Sequence, residues 1–325
     1  MPRIVLLSTG GTIAMAGAGG GGGGGGGVEI ALAGRDLLPS GGLGEARVEV
    51  RDLFALPSSG IGLAALRQLD AAVCEAAADG DPVVIAHGTD TLEETAFALH
   101  LLAADGPPVV LTGAMRAADA VGADGPGNLS AAIRVALEPQ ARGLGALVVF
   151  GDEIHAAPFV RKTHAFRPAA FSSAPLGPIG WVVEDRVRLV MRPALQWPAL
   201  AFGPADPRTH VLSVNADTEP DWVYAAAAGA DGVVLELSGG GHAPGRLAGV
   251  FGEIAGRIPL VFASRTGGGE TLRSSYGYSG AEMDLLARGL IPAGLLDARK
   301  ARIALALLLS REVGIEDVRA WFASV

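Results

Sequence analysis

Val83-Val84-Ile85-Ala86-His87-Gly88-Thr89-Asp90-Thr91-Leu92-Glu93-Glu94-Thr95 is an apolar run that ends on a glycine–threonine turn and passes directly into a helical pattern. The chain opens in the same way, with Arg3-Ile4-Val5-Leu6-Leu7-Ser8-Thr9-Gly10-Gly11-Thr12-Ile13. Continuous Val/Ile/Leu runs mark parallel strands buried on both faces, and ligands of open α/β sheets lie beyond the carboxyl ends of such strands. Thr12, Thr89 and Asp90 stand at those ends. Glycine lacks a β-carbon, so the backbone turns sharply there and approaches a ligand closely, with neighbouring hydroxyl and N–H groups aimed at it. Two threonines and a carboxylate are thereby placed to converge on one small polar molecule.

Working outward, strand-like runs alternate with helical patterns, the signature of βαβ units and a mostly parallel sheet. Strands are expected at 4–8, 48–53, 83–86, 109–112 and 146–151, and helices at 62–79, 91–104 and 128–136. Residues 156–191 are richer in Pro, Ser and short alternating runs and read as a hairpin. Four prolines then interrupt 192–208, which reads as a linker. Beyond it the rhythm restarts, with strands at 211–215, 232–237 and 259–264 and helices at 221–228, 246–257, 297–310 and 315–322. The fold class is α/β, with a larger N-terminal doubly wound parallel-sheet domain at 1–192, a Pro-rich linker at 193–208 and a smaller C-terminal parallel α/β domain at 209–325. Nine consecutive glycines, Gly19–Gly27, define no conformation and maximise the entropy lost on ordering. They fit a flexible lid, a linker or a placeholder for other side chains.

The 325-residue chain is half apolar, enough for two domains with their own cores. A formal net charge of −9 argues against a nucleic-acid groove, which needs clustered Lys and Arg. Cys74 is the only cysteine, so an internal disulfide and a multi-thiol metal site are both excluded. Its alanine-rich helical surroundings suggest a packed core thiol. The first strand begins almost at once, without a charged leader or cleavage site, and no run reaches the roughly 18 apolar residues of a membrane span. A cytoplasmic protein is the expectation, with no membrane and no nucleic-acid partner.

Gly10-Gly11-Thr12 lacks the third glycine of a dinucleotide fingerprint, and no Gly-Lys-Ser/Thr phosphate loop follows it. A capping hydroxyl and an exposed nucleophile both remain open for Thr12. Glu93 and Glu94 suit the first turn of a helix through its dipole. Capping does not explain why the strand should end in His-Gly-Thr-Asp, and Asp90 is placed to hold an ammonium while the helix N-terminus takes a carboxylate. Those are the two poles of an amino acid. Lys162, in Val160-Arg161-Lys162-Thr163, is one of only two lysines, the other being Lys300. A loop lysine is commonly a solvated charge, yet a threonine hydroxyl needs a base, and a desolvated lysine can act as one where arginine cannot.

Ser8–Ala14, Val84–Thr95, Leu111–Arg116, Ala123-Asp124-Gly125-Pro126 with Asn128-Leu129, and Arg161-Lys162-Thr163 together resemble the bacterial-type L-asparaginase family, which includes glutaminase-asparaginases. The likeness spans nearly the whole chain. It implies hydrolysis of L-asparagine to L-aspartate and ammonia without cofactor or metal. It also implies attack by Thr12 to give an acyl-enzyme, and a Thr89–Asp90–Lys162 triad that activates a hydroxyl or water. Ser58 matches the serine that holds the substrate α-carboxylate, Asp90 helps to bind the α-amino group, and Ala114 falls where a backbone carbonyl contacts the amide. Backbone N–H groups near Thr12, Gly11 among the binding residues, and near Thr89 would stabilise the oxyanion. A homotetramer of intimate dimers is implied as well.

The chain departs from the family pattern in places. Glycines stand where family members carry a loop tyrosine, Ser59 where a glutamine is common, and His242 where an asparagine reaches a partner's site. Tyr276 stands where some members have a substrate-binding glutamate, with Glu270 and Glu282 nearby. Alternatives to an asparaginase are a glutaminase-leaning member, the related subunit of a tRNA-dependent amidotransferase, and a catalytically impaired amino-acid-binding or sensing module.

Overall fold

The structure is a computed structural model that describes residues 2–17, 27–38, 46–102, 106–195 and 197–324. Most of the glycine run, and the last two positions of the helix expected over 91–104, lie outside the described residues. The chain forms two compact units, Met1–Ala194 and Leu195–Val325.

In the first unit, eight strands form one sheet in the spatial order Arg186–Leu189, Gly180–Val183, Glu153–Ala156, Ala146–Phe150, Val109–Thr112, Val83–Ala86, Arg3–Gly10, Arg47–Leu56. The last five in that order run parallel, and the other three are antiparallel additions. Ile4 and Leu6 of the first strand pack on one face with Leu129 and Ile133 of helix Gly125–Leu137. Val5 and Leu7 pack on the other with Leu69 and Val73 of helix Leu63–Ala78 and with Leu92, Ala96 and Leu99 of helix Leu92–Leu102. Covering both faces is what requires an unbroken apolar strand. The expected hairpin over 156–191 appears as the antiparallel pair Gly180–Val183 and Arg186–Leu189.

Strand Arg3–Gly10 pairs with Arg47–Leu56 on one side and Val83–Ala86 on the other. The chain therefore reverses its direction of sheet growth across the first strand. That is a topological switch point, where two neighbouring connections leave for opposite faces and open a crevice at the carboxyl ends. Both glycine–threonine turns emerge there.

Cys74 is exposed, which corrects the expectation of a core thiol. Its helix buries Leu66, Leu69, Ala72, Val73 and Ala76, and position 74 falls off that stripe. The surrounding alanines gave the helix but not its phase.

The second unit carries four parallel strands, Thr209–Ser213, Gly232–Leu237, Leu260–Ser264 and Ile291–Pro292, adjacent in that order. Val233, Leu235, Leu237 and Phe262 form its core with Leu247, Phe251 and Ile254. Part of the proline-interrupted stretch packs against this unit. Gly203 N–H donates to Ser310 Oγ (2.9 Å), Ala205 N–H donates to the Ser310 carbonyl (3.0 Å), and Trp197 and Leu200 are buried.

Candidate active site

Three strand ends are drawn together at the switch point. Gly11 N–H donates to the Leu56 carbonyl (3.1 Å), and Thr9 Oγ1 donates to the Ala86 carbonyl (3.1 Å). Gly11 has φ +81°, and a β-carbon on it would lie 2.2 Å from Gly88 Cα. A β-carbon on Gly88 would in turn lie 2.8 Å from Ser58 Oγ. Both glycines are thus needed for backbone contact between the two turns, which sets Thr12 and Thr89, each the next residue along, on adjoining turns with Ser58 against Gly88. Thr12 begins the short 3₁₀ turn Thr12–Ala14, and its half-buried hydroxyl has no hydrogen-bond partner among the described residues.

Thr89 is buried and Asp90 is exposed at the entry to helix Leu92–Leu102. Lys162 Nζ donates to Thr89 Oγ1 (2.9 Å) and to Asp90 Oδ1 (2.7 Å). Because the Thr89 oxygen accepts from an ammonium, its single proton is directed away from Lys162. Ser58 Oγ accepts from the Asp90 N–H (3.1 Å) and keeps its own proton to donate, while the Ser58 carbonyl accepts from Thr91 Oγ1 (2.7 Å). The Lys162 side chain is 16% exposed, so its pair with Asp90 is only partly screened. The cluster therefore supplies hydroxyl donors, a carboxylate and an ammonium within one hydrogen-bonded group.

His87 explains the residue that capping left unexplained. It is fully buried, and its Nδ1 lies 2.7 Å from the Gly88 carbonyl, which can only accept, so Nδ1 carries the proton. Nε2 then accepts from Thr95 Oγ1 (3.0 Å), pinning the turn to the helix. Burial pushes its pKa down to about 4, against a smaller opposing effect of the Gly88 carbonyl. Burial also pushes His155, likewise fully enclosed, to about 4. Both are neutral in the native state, whereas the unfolded chain takes up their protons below about pH 6.5. Stability is then complete above about pH 6.5 and is lost as pH falls towards 4, by up to about 1.4 kcal/mol per pH unit per histidine. Urea unfolding at pH 7 and pH 5 checks this, and His87→Gln is expected to flatten the slope by one proton's worth.

Ala114 is buried on the turn after Val109–Thr112. Asp124 accepts from the N–H groups of Met115 (3.0 Å) and Arg116 (2.9 Å), and Asn128 Nδ2 donates to the Gly113 carbonyl (3.0 Å). The Asn128 carbonyl oxygen also accepts from Gly151 N–H (3.0 Å). Asp124 and Asn128 hold the Ala114 turn, a role the sequence did not disclose although their motif stood out. Ser59 is exposed on the 3₁₀ turn Ser58–Gly60.

His242 and Tyr276 belong to the second unit and cluster there. The His242 ring meets Tyr276 edge-to-face at 5.0 Å and lies 5.7 Å from Tyr278, while its Nε2 lies 3.0 Å from Glu282 Oε2. Burial alone would raise the Glu282 pKa, but the N–H groups of Tyr276 (2.6 Å) and Ser275 (2.7 Å) hold it below the usual carboxylate range. Among the described residues no group of three or more His, Cys, Asp or Glu is placed to hold a metal ion, and no helix is long and apolar enough to cross a membrane.

Fold and site together define a two-unit α/β protein whose polar side chains gather at the carboxyl ends of a parallel sheet. A family model described as "Asparaginase, N-terminal" matches residues 3–195, and one described as "Glutaminase/Asparaginase C-terminal domain" matches residues 208–322. A "Probable L-asparaginase" of Deinococcus radiodurans is 40% identical, over 99% of this chain and 97% of its own length. An "L-asparaginase" of Bacillus licheniformis is 33% identical over 97% and 98%. The crystal structure of a "Probable Cytoplasmic L-asparaginase" from Campylobacter jejuni superposes with a TM-score of 0.86 at 28% identity, covering 99% of both chains. The chain belongs to the asparaginase family and is an L-asparaginase-type amidohydrolase.

Proposed function

We propose that the enzyme hydrolyses L-asparagine to L-aspartate and ammonia at the switch-point crevice, with Thr12 as nucleophile and Thr89, Asp90 and Lys162 as the activating group. The observation that carries this reading is Lys162 Nζ bridging Thr89 Oγ1 and Asp90 Oδ1 beside the Gly11–Gly88 contact. Thr12 Oγ attacks the side-chain amide carbon, and N–H groups of the glycine turns, Gly11 among them, stabilise the oxyanion. The carbon–nitrogen bond then breaks, and ammonia leaves with the proton given up by the threonine. Water oriented by Thr89 cleaves the resulting ester, releasing aspartate and restoring the Thr12 hydroxyl. Ser58 donates to the substrate α-carboxylate, Asp90 takes the α-ammonium, and the Ala114 carbonyl receives the amide N–H. Ser59, His242 and Tyr276 are further substrate-binding residues in this reading. The homotetramer, with His242 and Tyr276 offered to a neighbouring subunit's site, belongs to the same proposal.

Ammonia release from L-asparagine and L-glutamine, measured for the parent chain and for Lys162→Met, tests it. Methionine keeps the length of the side chain but has no N–H donor to hold Thr89 and Asp90. Its kcat is expected to fall by about 10²–10⁴, the usual worth of positioned proton transfer, with a smaller change in KM. Faster turnover of glutamine would make the enzyme a glutaminase, and ligand binding without turnover in the parent would make it a sensing module.

A further inference from the structure

The strand that carries Lys162 is only two residues long, Arg161–Lys162, and it pairs not with the main sheet but with Phe171–Ser172. Thr163 N–H donates to the Ala170 carbonyl (2.8 Å) within that ribbon. Successive N–H groups of an antiparallel strand point to opposite sides, so the Lys162 N–H faces away from its ribbon partner. Glu93 meets it, with the carboxylate Oε2 accepting the Lys162 backbone N–H. Glu93 is only 6% exposed, although it stands in the first turn of helix Leu92–Leu102, where an acidic residue ordinarily lies in solvent. Thr89 and Asp90 take the Lys162 ammonium, and Glu93, three residues further on, takes the same residue's main chain. One short stretch therefore fixes both ends of this lysine.

We infer that Glu93 is a positioning residue for Lys162, setting the height of the short strand so that Nζ reaches Thr89 and Asp90 together. This rests on the role of Lys162 proposed above. The rival role, a negative charge that serves only the helix dipole, would ask for the charge alone and not for its reach. Two conservative variants separate the roles. Glu93→Gln keeps an acceptor oxygen at the same distance and removes the charge. Glu93→Asp keeps the charge and withdraws the acceptor by one methylene.

The measurement is kcat and KM for L-asparagine on the full chain, with Lys162→Met assayed in parallel. Glu93→Gln is expected to lose no more than about threefold in kcat and Glu93→Asp about thirtyfold or more, with KM changing by less than about threefold in both. Equal losses, or an Asp variant as fast as the Gln variant, would overturn the positioning role. An active Lys162→Met variant would instead sink the underlying assignment of the lysine. An inactive Lys162→Met beside unimpaired Glu93 variants would remove only the Glu93 inference.

Discussion

Thr12→Ala is expected to cut ammonia release from L-asparagine by at least about 1,000-fold, the scale on which removal of a covalent nucleophile acts. The thermal midpoint should hardly move. The Thr12 hydroxyl has no hydrogen-bond partner among the described residues, so its removal leaves no donor or acceptor orphaned, and the half-buried site loses little apolar contact. Thr12→Ser keeps the oxygen but loses the methyl that restricts rotation about the Cα–Cβ bond. About tenfold of activity should go with it, equivalent to about 1.4 kcal/mol of lost restraint. Rapid-quench mass spectrometry on the parent should find aspartate esterified to Thr12. An alanine variant that keeps more than about a tenth of the parent rate, with no adduct on the parent, would exclude Thr12 as nucleophile.

The fold was legible wherever periodicity is a direct consequence of burial. Val83–Ala86 and Val109–Thr112 read as strands because helices cover both of their faces, and the sheet confirms those limits. The first strand runs to Gly10, further than its apolar residues suggest, because Thr9 is buried through its bond to Ala86. Short elements left no such signal. Arg161–Lys162 owes its conformation to Phe171–Ser172 and Glu93, and neither contact is local. The short helix Glu282–Ala287 starts on a buried carboxylate whose partners, His242 and the N–H groups of Ser275 and Tyr276, come from chain before it.

Within the candidate site, residue identity was easier to read than direction. Sequence marked Thr89, Asp90 and Lys162, and the structure joins them through the lysine ammonium. Glu93 read as a helix-terminal acid, yet its side chain turns across to another strand. His87 read as unexplained, and burial makes it a neutral brace. A motif lists which groups are present, whereas hydrogen-bond partners far along the chain decide where each one points.

Gly11→Ala should be severely damaging for its size, because it adds one methyl group and meets two separate penalties. The first is conformational: φ +81° with ψ −177° is a backbone region essentially confined to glycine, and a β-carbon there costs about 1–3 kcal/mol. The second is steric, since the new carbon would lie 2.2 Å from Gly88 Cα and 2.4 Å from Gly88 N. These are backbone atoms of the facing turn, so relief requires the two strand ends to part. Gly80→Ala is the control for a positive φ without a clash, because Gly80 has φ +79° and a methyl group there would meet nothing within 4 Å. Urea unfolding should show Gly80→Ala destabilised by about 1 kcal/mol with activity retained. Gly11→Ala should lose about 2–5 kcal/mol, the backbone strain and an overpacking penalty of about 1–3 kcal/mol together. Any folded fraction should release little ammonia, because parting the turns separates Thr12 from Thr89 and from the Ser58 hydroxyl packed against Gly88. If the two alanine variants proved equally stable and equally active, the close approach of the turns would be dispensable, and the site would not depend on the Gly11–Gly88 contact that brings its halves together.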